Sequence, residues 1–421
     1  MGLLLAQTPL ATAQEDDGGL VATTAAGQVR GQRVGNVLVF RSIPYAAPPV
    51  GELRFAAPAP HQPWSGVRDA RTVGPSAPFP TQPAGDIDLS ASFGPNWVKG
   101  DDYLTTSIWT PALNGPPRPV MVFIHGGAFV VGTSNVPLYE GTAFAQKGVV
   151  LVSLNYRLGI EGFLKIKGVP SNLGLRDQLA ALRWVQANIG RFGGDPANVT
   201  VFGESAGGMS VATLLGSPAA KGLFRRAIIM SGSGQAVLSS EQADRIAAKY
   251  ARVLRIQNTA EAYRRFTPEQ LLAAQQKVTP KMVKLATDEY ADPGSGTVLY
   301  FPVVDGDIVP ALPLTSVQQG AGGAVDVLTG YNTDEANLFL IPTGLLKKVK
   351  SNFVLTLAVK RLHPAPGQTG VEGLRIFADE FDVVHGAGAM PAIGGAFNCA
   401  ASKVTNIHTK RAWVVTLGHP M

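Results

Sequence analysis

Ser205 stands between two glycines in "TVFGESAGGMS" (200–210), directly after a β-branched and aromatic run. A serine hydroxyl in that setting suits acyl transfer, provided the turn exposes it and a base takes its proton. Gly203 and Gly207 let a strand and a helix approach without Cβ clashes. Gly203-Glu204-Ser205-Ala206-Gly207 therefore reads as a strand–turn–helix nucleophile elbow, in preference to a glycine-rich turn that merely holds a serine.

A second stretch, "IHGGAFVVG" (124–132), follows an apolar run. A tetrahedral acyl intermediate needs donors aimed at its developing oxyanion, and backbone N–H groups in a glycine loop after a strand supply them. The expected donors are Gly127, Ala128 and Ala206. His125 lies in the same loop, where a positional role is expected of it rather than that of a base.

The serine also needs a histidine to deprotonate it and an acid to orient that histidine, in the chain order Ser, Asp/Glu, His. Beyond Ser205 the histidines are His363, His385, His408 and His419. His385 ranks first, in the strand-like "FDVVHGAG". Spacing alone leaves Asp305, Asp307, Asp334 and Glu335 open as the acid. "GYNTDEANLF" places Asp334 and Glu335 just after an expected strand, where a catalytic loop belongs.

These groups need a frame. "RPVMVFIHGG" (118–127) and "GVVLVSLNYR" (148–157) are nearly continuous apolar runs, as buried parallel strands should be. "LYEGTAFAQKG" reads as a short helix closed by Gly148. Leu175, Leu179, Leu182, Val185 and Ile189 fall at helical spacing. "NVTVFGE" is a strand, "GGMSVATLLG" a helix, "RRAIIMSGS" (225–233) a strand and "SEQADRIAAKYARVLR" a helix. "TPEQLLAAQQ" is a helix start, with Gln270 three residues after Thr267. "VDVLTGYNTDEANLFL" (325–340) reads as strand, loop and helix. This alternation, with no repeated unit, predicts an α/β fold around a mostly parallel sheet flanked by helices. The segment 255–290 is expected as a helical excursion over the sheet. Prolines in "APPVGELRFAAPAP" exclude a long central strand there. "SAPFPTQPAGDIDLSASFGP" (76–95) is read as a surface loop.

The chain has 421 residues, 45% of them hydrophobic, which is ample for one large core. A net charge of +6 comes without a basic stripe or zinc-finger spacing, so it marks solubility rather than a nucleic-acid partner. The basic "LLKKVKSNFVLTLAVKR" (345–361) reads as a solvated amphipathic segment. Cys399 is the single cysteine, which excludes an intrachain disulfide. No apolar run is long enough for a membrane span. "MGLLLAQTPLATAQEDD" is an incomplete signal-peptide-like leader; processed, it points to secretion, and otherwise to the cytoplasm. Residues 1–20 are expected outside the fold and 21–421 as a single domain. The sequence is silent on oligomeric state.

"IPYAAPPVGELRF", "PWSGVRDA", "HGGAFVVG", "NYRLGIEGFL", "NLGLRDQLAALRWVQANIGRFGGDPANVTVFGESAGG" and "FPVVDGDIVP" together resemble the type-B carboxylesterase family. The resemblance implies an α/β-hydrolase fold and hydrolysis of small-molecule carboxylic esters without metal or organic cofactor. It places the acid on Glu335, with Asp334 as its neighbour, and the base on His385. The oxyanion donors fall on Gly127, Ala128 and Ala206. The match loosens behind residue 340: the family has several dozen more residues between acid and histidine than the 50 positions from Glu335 to His385. The C-terminal part is therefore read as shortened and divergent. The cysteines of the family's N-terminal disulfide, expected near Ala77 and Tyr103, are absent. The same scaffold also serves lipases, amidases and carbamate hydrolases, or a non-catalytic interaction protein. Phe129, Leu338 and Phe339 are candidates for an apolar substrate pocket or for plain core packing.

Overall fold

A computed structural model describes residues 20–80, 90, 94, 96–232, 234, 236–283, 299–332 and 412–417. Glu335, His385, Leu338, Phe339, the other three late histidines, Cys399 and the basic segment 345–361 lie outside the described residues, as do residues 1–19. Leu20 is already tied in, its carbonyl accepting from Gly31 N.

The strands are β1 (Val21–Thr23), β2 (Gln28–Arg30), β3 (Gln32–Val34), β4 (Val37–Pro44), β5 (Val67–Asp69), β6 (Thr105–Thr110), β7 (Arg118–Ile124), β8 (Val150–Leu154), β9 (Gly194–Glu204), β10 (Arg226–Met230), β11 (Asp326–Asn332) and β12 (Ala412–Leu417). The helices are α1 (Thr142–Gln146), α2 (Gly159–Phe163), α3 (Leu173–Asn188), α4 (Ala206–Leu215), α5 (Ser240–Leu254), α6 (Ala260–Arg264), α7 (Pro268–Val283) and α8 (Pro313–Gln318).

Nine strands form one mixed sheet in the order β12-β11-β10-β9-β7-β8-β6-β4-β3, while β1, β2 and β5 make a small separate sheet. From β12 to β8 every pairing is parallel. The remaining pairings, β8 to β6, β6 to β4 and β4 to β3, are antiparallel. This is the mostly parallel α/β sheet expected from the alternating elements and the α/β-hydrolase arrangement that the family resemblance implies.

Two apolar clusters lie on opposite faces of this sheet, because successive strand residues point to opposite sides. Leu38, Val122, Val152 and Val201 join the larger cluster, together with Leu175, Leu179, Leu182 and Val185 of α3 and Val211 and Leu214 of α4. Their chain neighbours Val39, Phe123, Leu151 and Phe202 join the smaller one, with Ala145 of α1. Both faces are covered, which is why β7 to β9 read as continuous apolar runs.

The helix boundaries follow local signals. Gly148, at φ 81°, ends the turn after α1. Thr267 and Gln270 exchange hydrogen bonds across the start of α7, Thr267 N to Gln270 Oε1 at 2.8 Å and Gln270 N to Thr267 Oγ1 at 3.3 Å. α6 and α7 occupy the interval read as a helical excursion, and Arg54 Nη1 donates to Phe266 O at their junction, 2.5 Å away.

Two expectations are corrected. The apolar run at 148–157 forms a strand only over Val150–Leu154; Asn155, Tyr156 and Arg157 leave it and turn their side chains to other work. Ser76–Phe79 is buried, not a surface loop. Phe79 joins the main core, and the backbone of Ser76 pairs with Val98, N to O at 3.0 Å. An apolar ring and a satisfied backbone together permit burial of a segment that composition marks as polar.

Candidate active site

β9 ends at Glu204 and α4 begins at Ala206, so one residue makes the whole turn. That residue is Ser205, with φ 55° and ψ −121°. A side chain bearing Cβ avoids this region, and holding it there costs about 1–3 kcal/mol. The surroundings enforce it. Ser205 N donates to Met230 O of β10 at 2.9 Å, and Ser205 O accepts from Met209 N of α4 at 2.8 Å. The side chain is half-buried at the C-terminal end of the parallel strands, the usual side for ligands in such sheets.

The glycines let this turn close. A Cβ on Gly207 would run into the backbone of Ile124 at the end of β7, and one on Gly203 into the backbone of Gly207. Gly208 and Gly232 are pressed together in the same way, a Cβ on Gly208 meeting Met230 O at 2.6 Å. The start of α4 is therefore wedged between β7 and β10 by backbone contact alone.

The glycine loop after β7 lies against this turn. A Cβ on Gly126 would sit 2.8 Å from Glu204 O and 3.2 Å from Ser205 Cβ. Beyond Gly126 three successive residues, Gly127 (φ 107°), Ala128 (φ 55°) and Phe129 (φ 61°), have left-handed backbone. Gly127 O closes the loop by accepting from Val130 N and Val131 N, both at 3.0 Å. Phe129 is fully buried against Phe163 and Phe301, with ring centroids 4.6 and 6.0 Å away, so it is a core residue.

His125 is buried, and its ring stacks on Tyr156 with centroids 4.5 Å apart. Nδ1 lies 2.8 Å from Gly126 O, which assigns the proton to Nδ1. Nε2 is buried without a hydrogen-bond partner among the described residues. Burial pushes the imidazole down to about 4, so it stays neutral at neutral pH. The ring is committed to its own loop, in keeping with the positional role expected of it.

Of the four acids that spacing left open, two are occupied elsewhere. Asp305 Oδ1 caps its own turn by accepting from Asp307 N at 3.0 Å and Val309 N at 2.9 Å, and Oδ2 accepts from Asn172 Nδ2 at 2.8 Å. Asp307 pairs with Arg176 at 2.6 Å. Both are structural carboxylates in a surface turn.

The segment Asn155–Gly159, which opens the "NYRLGIEGFL" stretch of the family resemblance but has no role assigned from sequence, packs around the glycine loop. Tyr156 Oη donates to His125 O at 2.8 Å. Asn155 Oδ1 accepts from Thr133 Oγ1 at 3.0 Å and Ser134 N at 2.8 Å. Gly159 N donates to Phe129 O at 2.7 Å. Arg157 anchors the segment: its Nε and Nη2 meet the two carboxylate oxygens of Asp177 at 2.8 and 2.7 Å, and Nη1 donates to Ala56 O at 2.7 Å. Both partners are fully buried, the setting in which a forked, hydrogen-bonded pair holds its geometry. A polar run closing a buried strand is the signal that points to such a role, since each of its polar groups must find a partner.

A cleft of about 510 Å³ beside Trp97 is lined by Arg54, Tyr103, Glu161 and Arg264; none of Ser205, Gly126, Gly127 or Ala128 lines it. Among the described residues no His, Cys, Asp and Glu group is arranged to hold a metal, and no helix is long and apolar enough to cross a membrane.

Residues 18–364 match the model of the carboxylesterase family. The chain is 40% identical over 328 residues to the para-nitrobenzyl esterase of Bacillus subtilis (strain 168), covering 76% of this chain and 64% of that protein. It is 38% identical over 317 residues to the phenmedipham hydrolase of Pseudarthrobacter oxydans, covering 75% and 61%. The fold superposes on carboxylesterase EST55 of Geobacillus stearothermophilus with a TM-score of 0.80 at 32% identity, covering 96% of this chain and 80% of that one. The chain spans a little over three fifths of the length of these two curated relatives. A matching model over most of the chain, a shared fold and a serine elbow in the expected place lead to one conclusion: this chain belongs to the carboxylesterase family.

Proposed function

We propose that the chain hydrolyses small-molecule carboxylic esters through a serine-bound acyl intermediate. The observation that carries this reading is Ser205, held at φ 55° between a parallel strand and a helix, with the Gly126–Ala128 loop packed on it. Ser205 attacks the ester carbonyl. The N–H groups of Gly127, Ala128 and Ala206 receive the oxyanion, an interaction whose loss at a single donor typically costs about 10²–10³ in kcat. His385 takes the serine proton and returns it to the leaving alcohol, then activates water to release the acid. Glu335 orients the imidazole and stabilises its charged form. This chemistry draws only on groups of the chain itself. Family relatives named as esterases support the reading, and the motif resemblance supports Glu335 and His385 as its acid and base.

Hydrolysis of para-nitrophenyl acetate and butyrate by the wild type, S205A and H385A tests the reading. Turnover abolished by both substitutions is the expected result. Loss in S205A but not H385A moves the base to His363, His408 or His419. A folded wild type with no turnover and no organophosphate labelling of Ser205 overturns the reading in favour of a non-catalytic scaffold. Comparison of butyrate with long-chain and amide substrates then separates an esterase from a lipase or an amidase.

A further inference from the structure

We infer that Tyr156 and Asn155 are positioning residues for the oxyanion-binding backbone, acting through the His125 carbonyl and the Thr133 hydroxyl on either side of the glycine loop and not on substrate. The inference rests on the proposed hydrolase reading.

Three consecutive left-handed residues do not hold themselves. Ala128 and Phe129 carry Cβ atoms, so on its own preference the loop would relax toward ordinary backbone and rotate its N–H groups away. The tethers sit where they prevent this. Tyr156 fixes His125 O on one side of Gly127 and Ala128, Gly159 fixes Phe129 O on the other, and Asn155 holds the exit at Thr133 and Ser134. All come from five successive residues of one segment, which the Arg157–Asp177 pair locks to α3. Tyr156 and Asn155 are fully buried, so water does not replace a tether that is removed. Burial also raises the Tyr156 hydroxyl far above its ordinary range, which keeps it a donor at every working pH. Oxyanion donors act by preorganisation, and small misplacements are costly. A tether that holds the backbone on either side of those N–H groups therefore acts on the transition state more than on bound substrate.

Tyr156→Phe removes one hydroxyl and leaves the stack on His125. Its kcat is expected to fall about tenfold with KM within twofold. Affinity for a trifluoromethyl ketone, which forms an oxyanion on the serine, should weaken in parallel with kcat/KM. Tyr103→Phe is the reference, because its hydroxyl is also buried but donates to Glu161 at 3.1 Å; it should keep wild-type kcat and ketone affinity. If Tyr156→Phe does not fold, Thr133→Val, which removes the bond to Asn155, should show the same split in smaller degree. The inference is overturned if Tyr156→Phe, or Thr133→Val in its place, retains wild-type kcat and ketone affinity, or if Tyr103→Phe loses as much. A wild type without turnover or organophosphate labelling instead overturns the hydrolase reading, and this inference with it.

Discussion

The two turns that meet at the site are held rigid by different means. The elbow at Ser205 is fixed by backbone against backbone, with Gly203, Gly207 and Gly208 so close to Ile124, Met230 and one another that no side chain fits between them. The glycine loop at 126–129 has backbone bonds of its own, and in addition side chains from a distant segment, Asn155 and Tyr156, tether it at its two ends. The first device tolerates no change because nothing in it can move aside. The second is adjustable in part, since the Tyr156 and Asn155 tethers are side chains that can each be lost alone.

The contrast is sharpest at Gly207. Gly207→Ala drives a Cβ into the Ile124 carbonyl, and the loss of stability should be the largest of the set, about 3 kcal/mol or more, read as a collapse of soluble folded protein. If Gly207→Ala melts like the wild type, the elbow is not held by crowding and the contrast breaks. Next comes the anchor of the loop side. Asp177→Asn leaves the Arg157 guanidinium buried with a neutral partner, and the urea midpoint should report a loss of roughly 3 kcal/mol. Exchanging both partners for apolar residues of similar volume should recover most of it.

A third prediction concerns pH. His125 is held at about 4 when folded, against 6.5 for a free imidazole, so the unfolded chain binds the proton first. This contribution to stability is complete above pH 6.5 and is lost as pH falls toward 4, by up to about 3 kcal/mol. Urea midpoints across that window should fall steeply for the wild type and less so for His125→Gln; equal slopes would remove His125 from the account. The smallest effect belongs to a helix cap outside both turns. Ser239 caps α5 in a reciprocal arrangement with Gln242, and Ser239→Ala should cost about 1 kcal/mol with unchanged turnover.

The difference between the turns also explains what was legible in the sequence. The elbow is local: two glycines, a serine, a strand before and a helix after all fall within a few residues, so both fold and nucleophile candidate can be read directly. The loop's supports are non-local. Tyr156 lies 31 positions from His125, and nothing in the apolar run before it tells that the strand stops at Leu154. Asp305 and Asp307 show the reverse error of spacing, since they stand at plausible distances from Ser205 yet serve a turn and Arg176. Glu335 rests on family resemblance, because spacing alone does not choose among four acids, whereas His385 ranks first among the four histidines by its strand-like context and the resemblance agrees.

The pairing of β11 with β12 bears on how the chain can vary. β11 ends at Asn332 and β12 begins at Ala412; in their parallel register Ala412 pairs with Val327 and Asn332 with Leu417. The interval between them therefore begins and ends at opposite ends of one parallel strand pair, and the chain must cross back along that pair to rejoin the sheet. For such an interval, fixed at both ends, the entropic penalty grows only with the logarithm of its length, so even doubling it adds roughly 0.6 kcal/mol. In closure entropy alone, insertions and deletions of several dozen residues between these two strands cost little. The proposed acid and base both lie in this interval, and natural length variation can therefore reshape their surroundings while the sheet that carries Ser205 stays unchanged.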